Sequence, residues 1–202
     1  MDKGQLFVVS GPSGAGKGTI CQKLVEDTNI ELSVSMTTRK PRPFEKDGIN
    51  YYFVTEEEFK EYMNEDGLLE YAEVYGNYYG TPKEMVMQKL NEGKDVVLEI
   101  DIQGAMKIKQ AYSKGIFIFI LPPSMAELRK RITGRGSETE DAINMRLGET
   151  LKEVSYIDKY DYCVVNGELS EAVERVRAIV KAEHSRVSES IFQLIKMYEE
   201  EI

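Results

Sequence analysis

A glycine-rich segment at residues 11–19, GPSGAGKGT, dictates more of the architecture of this chain than any other part of the sequence. It follows an apolar run at residues 6–9 and precedes a stretch of helical character that starts at Lys17 and ends at about residue 25. In such a strand, loop and helix, backbone N–H groups converge on an anion at the positive end of the helix dipole. Glycines leave room for the anion, and Lys17 adds a cation that can reach the outer phosphates. The segment therefore predicts a P-loop for a nucleoside triphosphate, and an ordinary glycine-rich turn is the weaker alternative.

The predicted donor-binding residues are those of this loop: Gly11, Pro12, Ser13, Gly14, Ala15, Gly16, Lys17, Gly18 and Thr19. One position departs from the usual pattern, in which a serine or threonine follows the lysine and ligates magnesium. Here Gly18 follows Lys17, and the hydroxyl of Thr19 comes one position later. We therefore expect phosphate oxygens and water to be the main ligands of the metal, and the sequence leaves open whether the protein supplies a direct ligand.

Composition excludes several classes of protein. The chain has 202 residues, as expected for one α/β domain, and its longest apolar runs are too short for a membrane helix. A formal net charge of −9 argues against long nucleic acid as a partner. Two cysteines suggest no disulfide framework, and the first residues do not resemble a signal peptide. We expect a cytoplasmic protein that meets no membrane, and its oligomeric state stays open.

The apolar runs predict a parallel sheet with helices on both faces, because they are nearly continuous rather than alternating. The predicted strands cover residues 6–9, 96–100, 116–121 and 162–165. Paired hydroxyl and acidic residues predict helix starts at Thr55, Thr81, Ser124 and Ser137. The corresponding helices cover residues 55–65, 81–92, 124–133 and 137–158, and a long helix runs from Ser170 onward. Ligands of such sheets bind beyond the carboxyl ends of the strands.

Two segments do not fit the strand and helix repeat, and both contain clusters of basic residues. An acidic chain that concentrates arginine in two places is expected to bind small anions there. Phosphoryl transfer requires the exclusion of water, so we expect both segments to be mobile and to close over the ligands. The prediction is a single domain over residues 1–202, with a core at 1–34, 82–125 and 147–202, an acceptor region at 35–81 and a lid at 126–146.

Five short motifs, in this order along the chain, identify a family. They are SMTTRKPR (35–42), GINYYF (48–53), GNYYGT (76–81), EIDIQG (99–104) and RITGRG (131–136). Together with the P-loop they resemble the guanylate kinases, a P-loop family of nucleoside monophosphate kinases, over residues 5–182. The resemblance implies the fold of the P-loop nucleoside triphosphate hydrolases. It also implies transfer of the γ-phosphoryl group of ATP to GMP, and to dGMP, with magnesium.

The resemblance also implies roles for the acceptor-binding residues. The phosphate of GMP would be held by Arg39, Arg42, Tyr51 and Tyr79, which together offer several hydrogen-bond donors. Glu70 and Asp101 would accept from the ring N–H and the amine of guanine, whereas Ser35 and Thr81 would donate to its carbonyl oxygen. The remaining residues assigned to the acceptor site are Gly80 and Glu99. Core or surface positions are the alternative for the tyrosines and for Glu70.

Catalysis by such a site needs positioning and charge neutralisation rather than a strong base. Lys17 would follow the migrating phosphoryl group, and Arg131, Arg135 and Arg146 match the lid arginines of the family. Glu99 would orient an arginine or a magnesium-bound water. Asn166 is a weaker candidate for a contact with the adenine of ATP.

Two other functions remain open at this point. A non-catalytic interaction module that binds phosphorylated peptides would have a similar acceptor region, although its P-loop would be degraded. A related kinase acting on a ribose phosphate would lack the residues that read guanine. Fold alone excludes neither.

Overall fold

The computed structural model describes residues 3–26, 28–74, 76–134, 140–187 and 189–201. Within these residues the elements follow one another as β1 (Leu6–Ser10), α1 (Lys17–Glu26), β2 (Glu31–Leu32), β3 (Met36–Thr37), β4 (Tyr52–Phe53), α2 (Glu56–Asn64), β5 (Leu68–Val74), β6 (Asn77–Pro82), α3 (Lys83–Asn91), β7 (Val96–Glu99), α4 (Ile102–Ala111), β8 (Ile116–Leu121), α5 (Met125–Thr133), α6 (Glu140–Val154), a 3-10 turn (Ile157–Lys159), β9 (Tyr162–Val165), α7 (Leu169–Glu183) and α8 (Glu189–Glu200).

The main sheet is parallel and has the strand order β2-β7-β1-β8-β9. Its central strand β1 is buried along its whole length, as a parallel strand covered on both faces should be. The edge strand β9 is less covered than the sequence predicts, because Cys163 and Val165 are exposed. The short strand β2 was not predicted, since two residues carry too little pattern to recognise.

Helices cover the main sheet on both faces, which confirms the predicted fold class. On one face, α1 and α7 pack against alternate strand residues that include Phe7 and Val9. On the other face, α3 and α4 pack against the intervening residues, Leu6 and Val8 among them. The alternation of side chains along a strand thus divides one apolar run between two cores.

A second sheet of four strands, in the order β4-β3-β6-β5, is built from residues within 36–82. It is mixed, because β3 pairs with β4 in parallel and with β6 antiparallel. A small core of its own holds it together, formed by the buried side chains of Met36, Phe59 and Leu68. In a further apolar cluster, α5 packs against α6 through residues such as Leu128 and Ile143.

The predicted helix caps meet different outcomes. Thr55 and Glu58 form a complete capping box at α2, and Ser124 accepts from the backbone of Glu127 at α5. The predicted cap at Thr81 is wrong, because Thr81 lies in β6 and α3 begins after Pro82 without a side-chain cap. The predicted start at Ser137 lies outside the described residues.

The sequence predicts one long helix from Ser170 onward, and this prediction is wrong, because the C-terminal segment forms two helices. Helix α7 ends at Glu183, and α8 begins at Glu189 with several exposed apolar side chains. Within the described part of the chain, no helix combines the length and apolar character that a membrane span would need.

Candidate active site

A cleft of about 730 Å³ opens at the edge of the main sheet where β1 and β7 end. A volume of this size suits a small organic ligand. Eleven of the residues predicted from the sequence line it: Gly11, Ser13, Lys17, Ser35, Tyr51, Glu70, Tyr79, Gly80, Glu99, Asp101 and Arg146. The structure therefore brings the P-loop and the acceptor motifs to one continuous cavity.

The loop between β1 and α1 has the backbone of an anion cradle. Gly11, Gly14 and Gly16 have φ angles of 141°, 88° and 93°, which side-chain-bearing residues rarely adopt. Two of these glycines are also required by close packing. A Cβ atom at Gly11 would lie 2.2 Å from the carbonyl oxygen of Ile120, and one at Gly16 would lie 2.3 Å from the amide nitrogen of Asn166.

Asn166 packs against this loop and holds it by a hydrogen bond. The residue is only 5% exposed, and its side-chain Nδ2 donates to the carbonyl oxygen of Ala15 over 2.8 Å. The backbone carbonyl oxygen of Asn166 accepts from Nη2 of Arg131 over 3.1 Å. Nε of Arg131 also donates to the carboxylate of Glu127. Asn166 thus contacts both the loop and Arg131, and the expected contact with adenine stays a prediction.

Lys17 reaches back across the loop that it follows. Its Nζ donates to the carbonyl oxygens of Gly11 over 2.6 Å and Pro12 over 3.1 Å. Burial lowers the pKa of Lys17, and the nearby carboxylate of Glu99 opposes that effect most strongly. A phosphate arriving in the cradle would supply the counter-charge that the carbonyl dipoles only partly replace.

At the other end of the cleft, Glu70 and Thr81 face each other across the β5–β6 pair. The hydroxyl of Thr81 donates to Oε1 of Glu70 over 2.7 Å, and both residues are buried. Desolvation raises the pKa of Glu70 to about 7, and the nearby charge of Asp101 adds to that effect. Donation from Thr81 to a bound base stays a prediction, since the observed partner of this hydroxyl is Glu70.

Asp101 lies beside Glu70 and also begins helix α4. Its Oδ1 accepts from the backbone N–H of Gly104 over 2.8 Å. A Cβ atom at Gly104 would lie 2.6 Å from Oε2 of Glu70, so glycine at this position makes room for the carboxylate. Each carboxylate therefore has one oxygen fixed by a neighbouring donor, and its orientation is set before any ligand arrives.

Two arginines in the loop between β3 and β4 contact the carboxylate of Glu45, a residue that the sequence analysis does not single out. Nη2 of Arg39 donates to Glu45 over 2.9 Å, and the backbone N–H of Arg42 donates to the same carboxylate over 2.8 Å. The guanidinium of Arg39 also lies 5.5 Å from the ring centre of Tyr51. The hydrogen bond from Arg39 lowers the pKa of Glu45, whose side chain is only 7% exposed. Neither arginine lines the cleft itself, and the Arg42 side chain is 62% exposed.

Helix α6 forms part of the wall of the cleft, through side chains that repeat at helical spacing. Arg146, Glu149, Glu153 and Tyr156 line the cleft from this helix and the turn after it. Desolvation raises the pKa of Glu153, and the charge of Lys17 opposes this. Arg135, predicted as a catalytic lid arginine, lies outside the described residues.

The remaining predicted residues lie around the cleft rather than on its wall. They are Pro12, Gly14, Ala15, Gly16, Gly18, Thr19, Asn166, Arg39, Arg42, Thr81 and Arg131. Sequence reasoning missed Glu45 and Glu153. The 3-4-3 spacing from Arg146 to Tyr156 indicates one helix face, but it does not show that this face meets the cleft. Glu45 carries no such pattern, because it is one charge in a charged loop.

Comparisons with known proteins identify relatives that match nearly the whole chain. The sequence model of the family described as guanylate kinase matches residues 3–183. A guanylate kinase from Clostridium acetobutylicum is 57% identical over 185 residues, covering 92% of this chain and 88% of that protein. One from Caldanaerobacter subterraneus subsp. tengcongensis is 54% identical over 201 residues, covering 99% of this chain and 98% of that protein. The crystal structure of guanylate kinase from Anaplasma phagocytophilum is similar, with a TM-score of 0.78, 37% identity and coverage of 92% of this chain and 89% of that one.

Proposed function

This chain belongs to the guanylate kinase family, and we propose that the 730 Å³ cleft holds ATP at the P-loop and GMP between the two sheets. It is an ATP:GMP phosphotransferase, which transfers the γ-phosphoryl group of ATP to GMP and yields ADP and GDP. One observation carries the proposed arrangement of the substrates. The phosphate cradle and the buried Glu70–Thr81 pair line or border the same 730 Å³ cavity.

Guanine is selected, on this proposal, by two carboxylates that accept from its ring N–H and its exocyclic amine. Glu70 and Asp101 are both acceptors when ionised, whereas adenine presents a ring acceptor and no matching pair of donors. Bound adenine would leave the carboxylate oxygens of Glu70 and Asp101 that face the base without donors. Sites that leave polar groups unpaired with the wrong substrate can favour the correct one by up to about 10⁴–10⁵ in kcat/KM. Thr81 contributes by holding Glu70 in place, and Ser35 is the proposed donor to the carbonyl oxygen of guanine.

The phosphate of GMP is bound, we propose, by the basic and phenolic side chains of the second sheet and its loop. Arg39 has five N–H donors; it uses them on the carbonyl oxygen of Lys40 and on Glu45, and its side chain also interacts with Tyr79. Other donors of the guanidinium thus remain for a phosphate beside the hydroxyl groups of Tyr51 and Tyr79. Glu45 acts as a positioning residue, because it holds the Arg39 head group and the backbone of Arg42 together.

The transfer itself requires no strong base, since the attacking oxygen of GMP is already anionic. Lys17 contacts the outer phosphates of ATP. Burial lowers its pKa, and the nearby charges of Glu99 and Glu153 oppose this, which favours the protonated lysine that the role needs. Arg131, Arg135 and Arg146 neutralise the charge that develops on the phosphoryl oxygens. Arginines in such roles contribute about 10³–10⁵ in rate in other phosphotransferases.

Magnesium fits this site as a companion of the nucleotide rather than as a resident of a protein cage. Among the described residues no group of three or more His, Cys, Asp or Glu side chains is arranged to hold a metal. Magnesium commonly keeps several waters and takes one or two carboxylates together with substrate phosphates. Glu99, which lies beside the P-loop residue Gly18, would supply such a carboxylate. When bound, the ion would neutralise charge on the β- and γ-phosphates.

The functional regions follow the architecture. We propose that residues 35–81 form the acceptor-binding region and residues 126–146 the lid, carried by a core at 1–34, 82–125 and 147–202. The small cores of the second sheet and of α5 and α6 support this division, because each region has an apolar cluster of its own.

The test is a coupled assay of ADP release with ATP and magnesium, using GMP, dGMP, AMP, CMP and UMP as acceptors. We expect turnover with GMP and dGMP, and little with the others. The Glu70→Gln variant should lower the ratio of kcat/KM for GMP over AMP, because an amide cannot accept both donors equally. A ratio that stays unchanged in this variant would refute the proposed recognition of guanine.

A further inference from the structure

Asn166 lies at the carboxyl end of the edge strand β9, beside the P-loop. Strand β9 is a parallel neighbour of β8, with Val165 level with Leu121. The backbone N–H of Asn166 continues this pairing, because it donates to the carbonyl oxygen of Leu121 over 2.8 Å. Strand β8 is in turn a parallel neighbour of β1, which leads into the P-loop. The order β1-β8-β9 therefore fixes the backbone of Asn166 at the edge of the sheet where the P-loop begins.

The side chain of Asn166 is bound to the loop. Its Nδ2 donates to the carbonyl oxygen of Ala15 over 2.8 Å, and both residues are buried. The amide fits there because residue 16 is glycine. A Cβ atom at Gly16 would lie 2.3 Å from Nδ2, a separation that real Cβ atoms essentially never show. A buried carbonyl oxygen needs a donor, and Asn166 supplies it.

The hydrogen bond at Ala15 sets the direction of the next N–H group in the loop. The carbonyl of Ala15 and the N–H of Gly16 belong to one planar peptide unit, and in a trans peptide they point in opposite directions. Among the described residues no peptide bond is cis. The N–H of Gly16 is therefore directed away from Asn166. Backbone N–H groups of this kind bind phosphate in glycine-rich loops.

The surroundings of Asn166 leave little of it for a base. Asn166 is 5% exposed and is not among the residues that line the cleft. A bidentate contact of asparagine with adenine uses both the nitrogen and the oxygen of the amide, and here the nitrogen is bound to Ala15. The backbone carbonyl oxygen accepts from Nη2 of Arg131. The contacts of Asn166 are thus directed toward the protein.

We propose that Asn166 is a positioning residue of the phosphate cradle, whose side-chain amide holds the Ala15–Gly16 peptide so that the N–H of Gly16 faces the phosphates of the donor nucleotide. This role rests on the proposed binding of ATP at the P-loop. It differs from the contact with adenine that the sequence suggests, because Asn166 acts through the loop and strengthens the binding of a triphosphate whatever its base.

The test compares a triphosphate that has a base with one that has none. Inorganic tripolyphosphate and a non-hydrolysable ATP analogue are each titrated into the full chain by calorimetry, with magnesium present. Asn166→Ala should weaken both ligands by the same factor, about tenfold, because a buried carbonyl oxygen loses its donor. Asn166→Asp keeps the shape of the side chain but places an acceptor opposite the carbonyl oxygen of Ala15, and it should weaken both ligands at least as much.

Binding of GMP to the same variants separates positioning from a general loss of structure. The Kd for GMP should stay close to that of wild type in Asn166→Ala and Asn166→Asp, because the acceptor side of the cleft is untouched. In steady-state assays both variants should raise the KM for ATP and leave the KM for GMP unchanged. Asn91→Ala removes an exposed asparagine at the end of α3 and should change none of these constants.

The outcomes distinguish this role from the proposed function. If wild type does not bind the ATP analogue, ATP binding at the P-loop is wrong. If Asn166→Ala weakens the analogue and leaves tripolyphosphate unchanged, Asn166 reads the base and its role in the cradle is wrong, whereas the kinase assignment stands. The role is also wrong if Asn166→Asp binds tripolyphosphate as tightly as wild type, if wild type binds the analogue but not tripolyphosphate, or if both variants lose GMP binding as well.

Discussion

Glu70 is buried where guanine is read, and replacing it should make the protein more stable at the expense of its selectivity. Desolvation raises the pKa of this carboxyl from its usual 4.5 to about 7. A raised pKa means that the unfolded chain releases the proton more readily than the folded chain does. The free energy of unfolding of the wild type therefore decreases as the pH rises from 4.5 through about 7.

The magnitude follows from the same difference in pKa. A pKa raised from 4.5 to about 7 corresponds to about 3 kcal/mol of unfolding free energy once Glu70 is fully ionised. Glutamine has nearly the same shape, can still accept from Thr81 and carries no charge to desolvate. The stability of Glu70→Gln relative to wild type should rise by about 2–3 kcal/mol between about pH 5 and about pH 8.5.

Urea unfolding followed by circular dichroism, at several pH values and without nucleotide, measures this difference directly. Glu57→Gln, on the exposed face of α2, is the matched control and should differ from wild type by the same small amount at every pH. A gap between Glu70→Gln and wild type that is the same at pH 5 and at pH 8.5 would show that Glu70 is not held in an apolar environment.

Three further measurements test the site. Lys17→Ala should lower kcat about 100-fold or more and leave the KM for GMP almost unchanged, because the lysine acts on the transferred group; unchanged turnover would refute its role. Glu45→Gln should raise the KM for GMP about tenfold without changing the affinity for ADP, since a charge-assisted bond to Arg39 is lost. If the variant weakened guanosine, which has no phosphate, as much as GMP, the change would be a general disturbance of the site instead. Guanosine binding should strengthen about tenfold from pH 6 to pH 8 as Glu70 ionises, and the profile of Glu70→Gln should be flat.

Much of the fold could be predicted because the signals were local. Continuous apolar runs indicate parallel strands with two covered faces, and β1 and β8 are buried as expected. The P-loop could be recognised because its glycines are needed by its own backbone angles. The exposed side of β9 could not be foreseen, because an edge strand and a central strand can have the same composition.

The acceptor side shows where local reasoning reached its limit. Thr81 has the sequence context of a helix cap, with Glu84 three residues later, yet its hydroxyl binds Glu70 across the β5–β6 pair. A cap at a solvent-facing helix end can be replaced by water, whereas a buried carboxylate needs a donor, so the buried partner prevails. Asn166 is a similar case, since its buried amide is taken by the carbonyl of Ala15.

The sequence by itself determined the parallel sheet, the phosphate cradle and the family. Only the tertiary structure decided which groups meet: the Glu45 carboxylate with the Arg39 side chain and the Arg42 backbone, and the Glu99 carboxylate with the helix turn at Gly18. The physical reason is that periodicity and turn chemistry act over a few neighbouring residues, whereas the partner of a charged group depends on how distant strands are brought side by side and how much water they exclude. In this protein the chemistry of the site lies mainly in contacts of that second kind.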